Sequence, residues 1–99
     1  MTTFVLVHGA FHGGWCWREV AAGLRGRGHQ VFTPTLTGLG ERSHLATPEV
    51  DLETHIEDIA GVLVWEDLEG AVLVGHSYGG LVVGGVADRV PERLAGLIY

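Results

Sequence analysis

Residues 71–80 read Ala-Val-Leu-Val-Gly-His-Ser-Tyr-Gly-Gly. Val72-Leu73-Val74 is a run of strand formers, and Leu81 to Ala87 is an apolar run of small residues. Between them stands Ser77, flanked at two-residue spacing by Gly75 and Gly79. The pattern G-x-S-x-G in this setting predicts a strand that turns sharply into a helix. The serine sits at the bend, and the glycines remove the Cβ atoms that would collide there. Without its flanking elements the same pattern is only a glycine-rich turn; the strand before and the helix after give it chemical meaning.

The rest of the chain repeats this alternation. Phe4-Val5-Leu6-Val7 is a continuous apolar run, as expected of a strand buried on both faces of a parallel sheet. A glycine-rich loop follows from His8 to Gly14. Trp17, Val20, Ala21 and Leu24 recur at helical spacing and predict a helix over 16–26, with Gly28 at its C-terminal cap. Gln30 to Thr33 reads as a second strand ended by Pro34. Residues 34–50 hold prolines, glycines and hydroxyl residues and read as a long loop, of the length usually tied to function. Asp51 is placed to cap a helix whose apolar stripe is Leu52, Ile56, Ile59, Ala60 and Leu63. The third strand is Ala71 to Val74, and the third helix runs from the bend to about Arg89, where Pro91 stops it. Leu94 to Tyr99 reads as a fourth strand. The order βαβαβαβ predicts an α/β fold: a parallel sheet of about four strands with helices on both faces.

The chain has 99 residues, enough for one small domain, and is 46% hydrophobic, enough for a core. No apolar run approaches the ~18 residues of a membrane span, and Met1-Thr2-Thr3 does not open a secretory signal. Cys16 is the only cysteine, so no internal disulfide forms. These features lead to the expectation of a cytoplasmic protein. The net charge is −6 and every basic residue is arginine. An acidic chain without a basic run is a poor partner for nucleic acid or an anionic membrane. A homo-oligomer is compatible with the sequence.

The second motif is the loop after the first strand, His8-Gly-Ala-Phe-His-Gly-Gly-Trp15. A serine that attacks a carbonyl needs donors for the developing oxyanion, and rigid backbone N–H groups supply them without reorganisation. One donor is expected from Tyr78, the residue after the serine, and the other from this loop. Taken together, Phe4-Val-Leu-Val-His-Gly-Ala10, His12-Gly-Gly-Trp-Cys-Trp17, the loop Leu36 to His44, and Val74-Gly-His-Ser-Tyr-Gly-Gly80 resemble the α/β-hydrolase superfamily, in its methylesterase and hydroxynitrile-lyase branch. The resemblance runs through nearly every residue. It implies the N-terminal part of an α/β-hydrolase fold, with Ser77 as nucleophile and the N–H groups of Ala10 and Tyr78 as the oxyanion hole. Residues 1–99 would be the first segment of a single domain. The triad acid and histidine, which follow the serine in this family, would lie in a C-terminal remainder. Plant-type lyases of the branch carry threonine directly after the first-strand histidine. Gly9 in that place favours ester hydrolysis over cyanohydrin cleavage.

Other candidates are weaker. His76 adjoins Ser77, but neighbours at a bend point apart, so a packing role is expected. His8 is expected to hydrogen-bond the loop, and Phe11 and His12 are candidates for the substrate pocket. Tyr78 joins them as a candidate pocket aromatic. His29, His44 and His55 read as solvated or capping residues, and Cys16 as a buried packing residue. His8 and His12 lie four apart on a loop without the glutamate of H-E-x-x-H, so no metal is expected. Gly9 to Gly14 lacks the lysine of a phosphate loop, and Gly38-Leu-Gly lacks the third glycine of a dinucleotide fingerprint. The sequence therefore leads to a serine hydrolase acting on a small-molecule carboxylic ester through an acyl-enzyme, with no cofactor. The alternatives are an incomplete half-site that needs its own C-terminal half as a separate chain, a hydroxynitrile-lyase-like protein, or a hydrolase-fold ligand sensor.

Overall fold

The computed structural model describes all residues, Met1–Tyr99. Four strands, β1 (Thr3–Val7), β2 (Gln30–Phe32), β3 (Ala71–Gly75) and β4 (Leu94–Ile98), alternate with three helices. The helices are α1 (Arg18–Gly26), α2 (Leu52–Trp65) and α3 (Tyr78–Arg89). All strand pairs are parallel, in the order β2-β1-β3-β4. Val5 lies beside both Phe32 and Leu73, so β1 is central and its apolar run is covered from both sides.

Successive side chains of a strand point to opposite faces, and the core divides accordingly. Val5, Val7 and Leu73 face α2 and α3, packing with Ile56, Ile59, Leu63, Val82, Val83 and Val86. Leu6 and Val31 face α1, packing with Ala21 and partly buried Phe4, Trp17, Leu24 and Val74. The first cluster holds 12 buried residues and the second 3, so the α2/α3 side carries most of the burial. Each fully buried Val, Leu or Ile there contributes about 1.5–3 kcal/mol.

The local signals act as physics requires. Asp51 accepts the Thr54 N–H at 3.1 Å while its own N–H donates to the Thr54 hydroxyl at 3.2 Å, a reciprocal cap on α2. Gly28 follows α1 with φ +89, and its N–H donates to the Arg25 carbonyl. Several boundaries differ from expectation: β1 opens one residue earlier, β3 runs on to Gly75 and β4 ends at Ile98. The helix anticipated over 16–26 divides into a 3₁₀ turn (Gly14–Trp17) and α1. β2 stops at Phe32, one residue early. The long loop contains a 3₁₀ turn, Gly40–Leu45, braced where the Thr35 hydroxyl donates to Glu41 and Arg42 donates to the Thr35 carbonyl. Side chain to backbone bonds of this kind are invisible to hydrophobic periodicity.

Cys16 is exposed, not buried. In its turn Gly14 is buried and Trp17 packs partly against the α1 side of the core, while Cys16 stays accessible. No helix is long and apolar enough to cross a membrane.

Candidate active site

β1 and β3 are neighbours, so the loops leaving their C-terminal ends lie side by side. In an open parallel sheet that end is where ligands bind. Ser77 stands there, exposed, between β3 and α3, with φ 57 and ψ −119. An L residue rarely holds this conformation, which costs about 1–3 kcal/mol. The flanking glycines explain how the bend closes. A Cβ on Gly75 would lie 2.6 Å from the Gly79 carbonyl oxygen, and one on Gly79 would run into the backbone carbonyls of Val7 and His8. The His76 N–H donates to Val7 at 3.1 Å, extending the β1–β3 ladder to the edge of the bend.

The amides of the bend are unequally used. Gly79 N–H donates to His76 and Gly80 N–H to Ser77, both at 2.9 Å. The Tyr78 N–H, at the first position of α3, has no acceptor in the protein, as expected for a helix N-terminus. Ala10 N–H is likewise without an acceptor, in the turn that the His12 N–H closes onto the Gly9 carbonyl. That turn presses against the bend: a Cβ on Gly9 would sit 3.2 Å from Ser77 Cβ and 3.3 Å from His76 Nδ1. The same Cβ would also lie 3.2 Å from the His76 carbonyl oxygen, so a threonine at position 9 would have to displace the backbone of the bend as well as its side chains by a few tenths of an ångström.

His8 fastens the loop from below. It is fully buried; its Nδ1–H donates to the Gly9 carbonyl at 2.7 Å and its Nε2 accepts the Leu36 N–H at 3.0 Å. Burial lowers its pKa below 6.5, outweighing the Gly9 carbonyl and the Glu41 charge, which favour the cation. The Thr35 hydroxyl accepts the Gly14 N–H at 2.9 Å and donates to Glu41, which holds that carboxyl below its usual range.

Beside Ser77 opens a cleft of about 240 Å³, walled by His12, Cys16, Trp17, Val20 and His76. The His12 and His76 rings lie 6.2 Å apart. Two buried polar atoms on its walls, His12 Nδ1 and Trp17 Nε1, have no partner. Ser77 itself is not a wall of this cleft. Phe11 is not one either: it projects from the loop at φ 64, 96% exposed. Tyr78 turns away, and its hydroxyl meets His55 Nδ1 at 2.6 Å.

The profile of the alpha/beta hydrolase family matches residues 4–99. The chain belongs to that family. It is 57% identical over its full length to a carbendazim-hydrolyzing esterase of a Nocardioides species and spans 41% of that protein. It is 37% identical to a pyrethroid hydrolase of Sphingobium wenxiniae, spanning 35% of it. Among solved structures, an Arabidopsis methylesterase superposes on all of the chain with a TM-score of 0.89 at 30% identity, the chain covering 42% of it. The chain thus spans about two fifths of the length of these alpha/beta hydrolases, which are esterases and hydrolases by name.

His55 corrects the sequence reading. Expected at the surface, it is only 6% exposed on α2, bonded to Tyr78 and, through Nε2, to the Thr37 carbonyl at 2.9 Å. Thr37 is held in turn by Asp58, which accepts from its N–H at 2.7 Å and its hydroxyl at 2.8 Å. One signal was available in the sequence: His55 adjoins Ile56 and lies four residues before Ile59, at the margin of the apolar stripe. No group of three His, Cys, Asp or Glu side chains converges to hold a metal ion.

Proposed function

We propose that this alpha/beta hydrolase cleaves a small carboxylic ester through an acyl-enzyme on Ser77. The observation that carries the reading is the exposed serine at φ 57, ψ −119, next to two backbone amides without acceptors. The Ser77 oxygen attacks the ester carbonyl, and the alcohol departs. The Ala10 and Tyr78 N–H groups stabilise the tetrahedral oxyanion, and water then releases the acid. Removal of one such donor costs roughly 10²–10³ in rate. His12 borders the substrate, and Phe11 becomes a pocket wall only where further chain packs on the loop. Residues 1–99 act as the first segment of one hydrolase domain, in the cytoplasm, without cofactor or metal.

A proton acceptor is also needed. No histidine hydrogen-bonds the Ser77 hydroxyl: His76 faces the cleft beside His12 and Trp17, and His55 is spent on Tyr78. The base and its carboxylate therefore belong to a C-terminal segment that the longer relatives have room for, covalently attached or supplied as a separate chain. Two measurements test the reading. A serine-directed phosphonate is reacted with the longer parent and the adduct mapped; labelling at any site other than Ser77 refutes the nucleophile. Hydrolysis of p-nitrophenyl acetate by residues 1–99 is compared with a Ser77→Ala variant. Equal rates support a base outside these residues, whereas a serine-dependent rate shows that the chain supplies its own.

A further inference from the structure

We propose that His55 is a positioning residue, holding Tyr78 so that the amide after Ser77 keeps its aim. The proposal rests on the esterase reading only for the catalytic use of that amide.

The Thr37 bond fixes the role of one imidazole nitrogen, and a neutral ring then fixes the other. The Thr37 carbonyl can only accept, so Nε2 carries a proton and donates to it. In the neutral ring Nδ1 is then an acceptor, and the Tyr78 O–H at 2.6 Å donates to it. The rings meet edge to face, with centroids 5.5 Å apart and planes at 84°. Tyr78 is therefore fixed by a directed bond as well as by packing. Its own N–H is the unused amide, and its backbone follows directly on the strained serine.

The clamp is anchored at its far end. Asp58 and His55 lie three residues apart on α2, so both reach the same loop. Asp58 accepts from both donors of Thr37, its N–H and its hydroxyl, and the Thr37 carbonyl orients the ring of His55. The sequence Asp58, Thr37, His55, Tyr78 thus links α2, the loop after β2 and the first residue of α3 into one polar chain. A buried histidine with both nitrogens committed has no freedom left for proton transfer to Ser77. It can only set geometry.

The test uses imidazole and backbone nuclear magnetic resonance on the ¹⁵N-labelled chain. Long-range nitrogen–proton correlations should show His55 protonated at Nε2 and bare at Nδ1. His55→Phe and Tyr78→Phe should each shift the amide signals of Ser77, Tyr78 and Gly79, and the double variant should add nothing to either single one. His55→Gln, whose amide can donate to Thr37 and accept from Tyr78, should restore them. Tyr78→Phe removes a single oxygen and reads out the clamp even where His55→Phe fails to fold. Unmoved amides, additive shifts, or a proton on Nδ1 alone overturn the proposal. In the longer parent, Tyr78→Phe should lower kcat on p-nitrophenyl acetate about tenfold with KM held, less than the loss of a whole oxyanion donor. An unmodified parent with no esterase activity rejects the hydrolase reading instead, and the amide shifts still decide the role of His55.

Discussion

Acid should destabilise this fold through one histidine. His8 is fully buried as a neutral ring, with Nδ1–H donated to Gly9 and Nε2 accepting from Leu36. A proton on Nε2 would point at an N–H and remove its acceptor, so the folded state resists the cation. The unfolded chain titrates near the ordinary 6.5, and burial sets the folded value lower. Below 6.5 the unfolded state therefore binds more protons than the folded state. Stability is then lost as pH falls and is fully present above 6.5. Lowering pH from 7.5 to 5.5 therefore costs stability, up to a ceiling of about 1.4 kcal/mol at 25 °C that a ring never protonated in the fold would reach. In a domain of this size that ceiling corresponds to a fall in Tm of roughly 6–11 °C, and a partly protonated ring gives a smaller fall in the same direction. The assay is urea unfolding by tryptophan fluorescence at several pH values, for the native chain and for His8→Asn. The variant loses one buried hydrogen bond, costing about 1–3 kcal/mol at every pH, but its pH slope should flatten. An identical slope in both proteins, or a flat native profile from 7.5 to 5.5, refutes the argument.

Three further outcomes follow from named contacts. Ser77→Gly should raise stability by about 1 kcal/mol in denaturant titration, because glycine holds φ 57, ψ −119 without strain, while abolishing phosphonate labelling. Gly79→Ala should cost at least about 1–3 kcal/mol, since its Cβ meets the backbone carbonyls of Val7 and His8, which are fixed in or beside the sheet. Asp51→Ala should cost about 1 kcal/mol in thermal unfolding through loss of the α2 cap, and Asp51→Asn almost nothing.

Much of this architecture is legible because it is periodic and local. The apolar run at 4–7, the stripe from Leu52 to Leu63 and the glycine-flanked serine each declare an element within a few residues. Sheet order is less local, yet four short parallel strands joined by helices leave few arrangements. What escaped the sequence is long-range polar satisfaction. His55 reaches Thr37 and Tyr78 across 18 and 23 residues, and His8 reaches Leu36 across 28. Nothing in the spacing of one histidine announces such partners. A buried imidazole is identified only when both its nitrogens are accounted for. Phe11 shows the converse: an aromatic in a promising loop, at φ 64, is 96% exposed.

The bend at Ser77 shows why the serine and its amides can be held by residues 1–99 alone. A strain of about 1–3 kcal/mol persists only where neighbours over-determine it. Before the bend, β3 is locked between β1 and β4, and the His76 N–H is tied to Val7. After it, α3 is seated by Val82, Val83 and Val86, all fully buried, and Tyr78 is tied to α2. Relaxing Ser77 would unseat a strand or a helix, and either costs more than the strain returns. Every contact in that vice lies within residues 1–99. On the proposed mechanism the other requirement, a base for the serine proton, calls for no strained backbone, only a side chain brought within reach. It is the component that a later segment can deliver without disturbing the vice, so supplying that segment should switch on hydrolysis without moving the Ser77, Tyr78 or Gly79 amides by more than ligand contact does. A wholesale rearrangement of those amide signals on complementation would show that residues 1–99 do not preform the site.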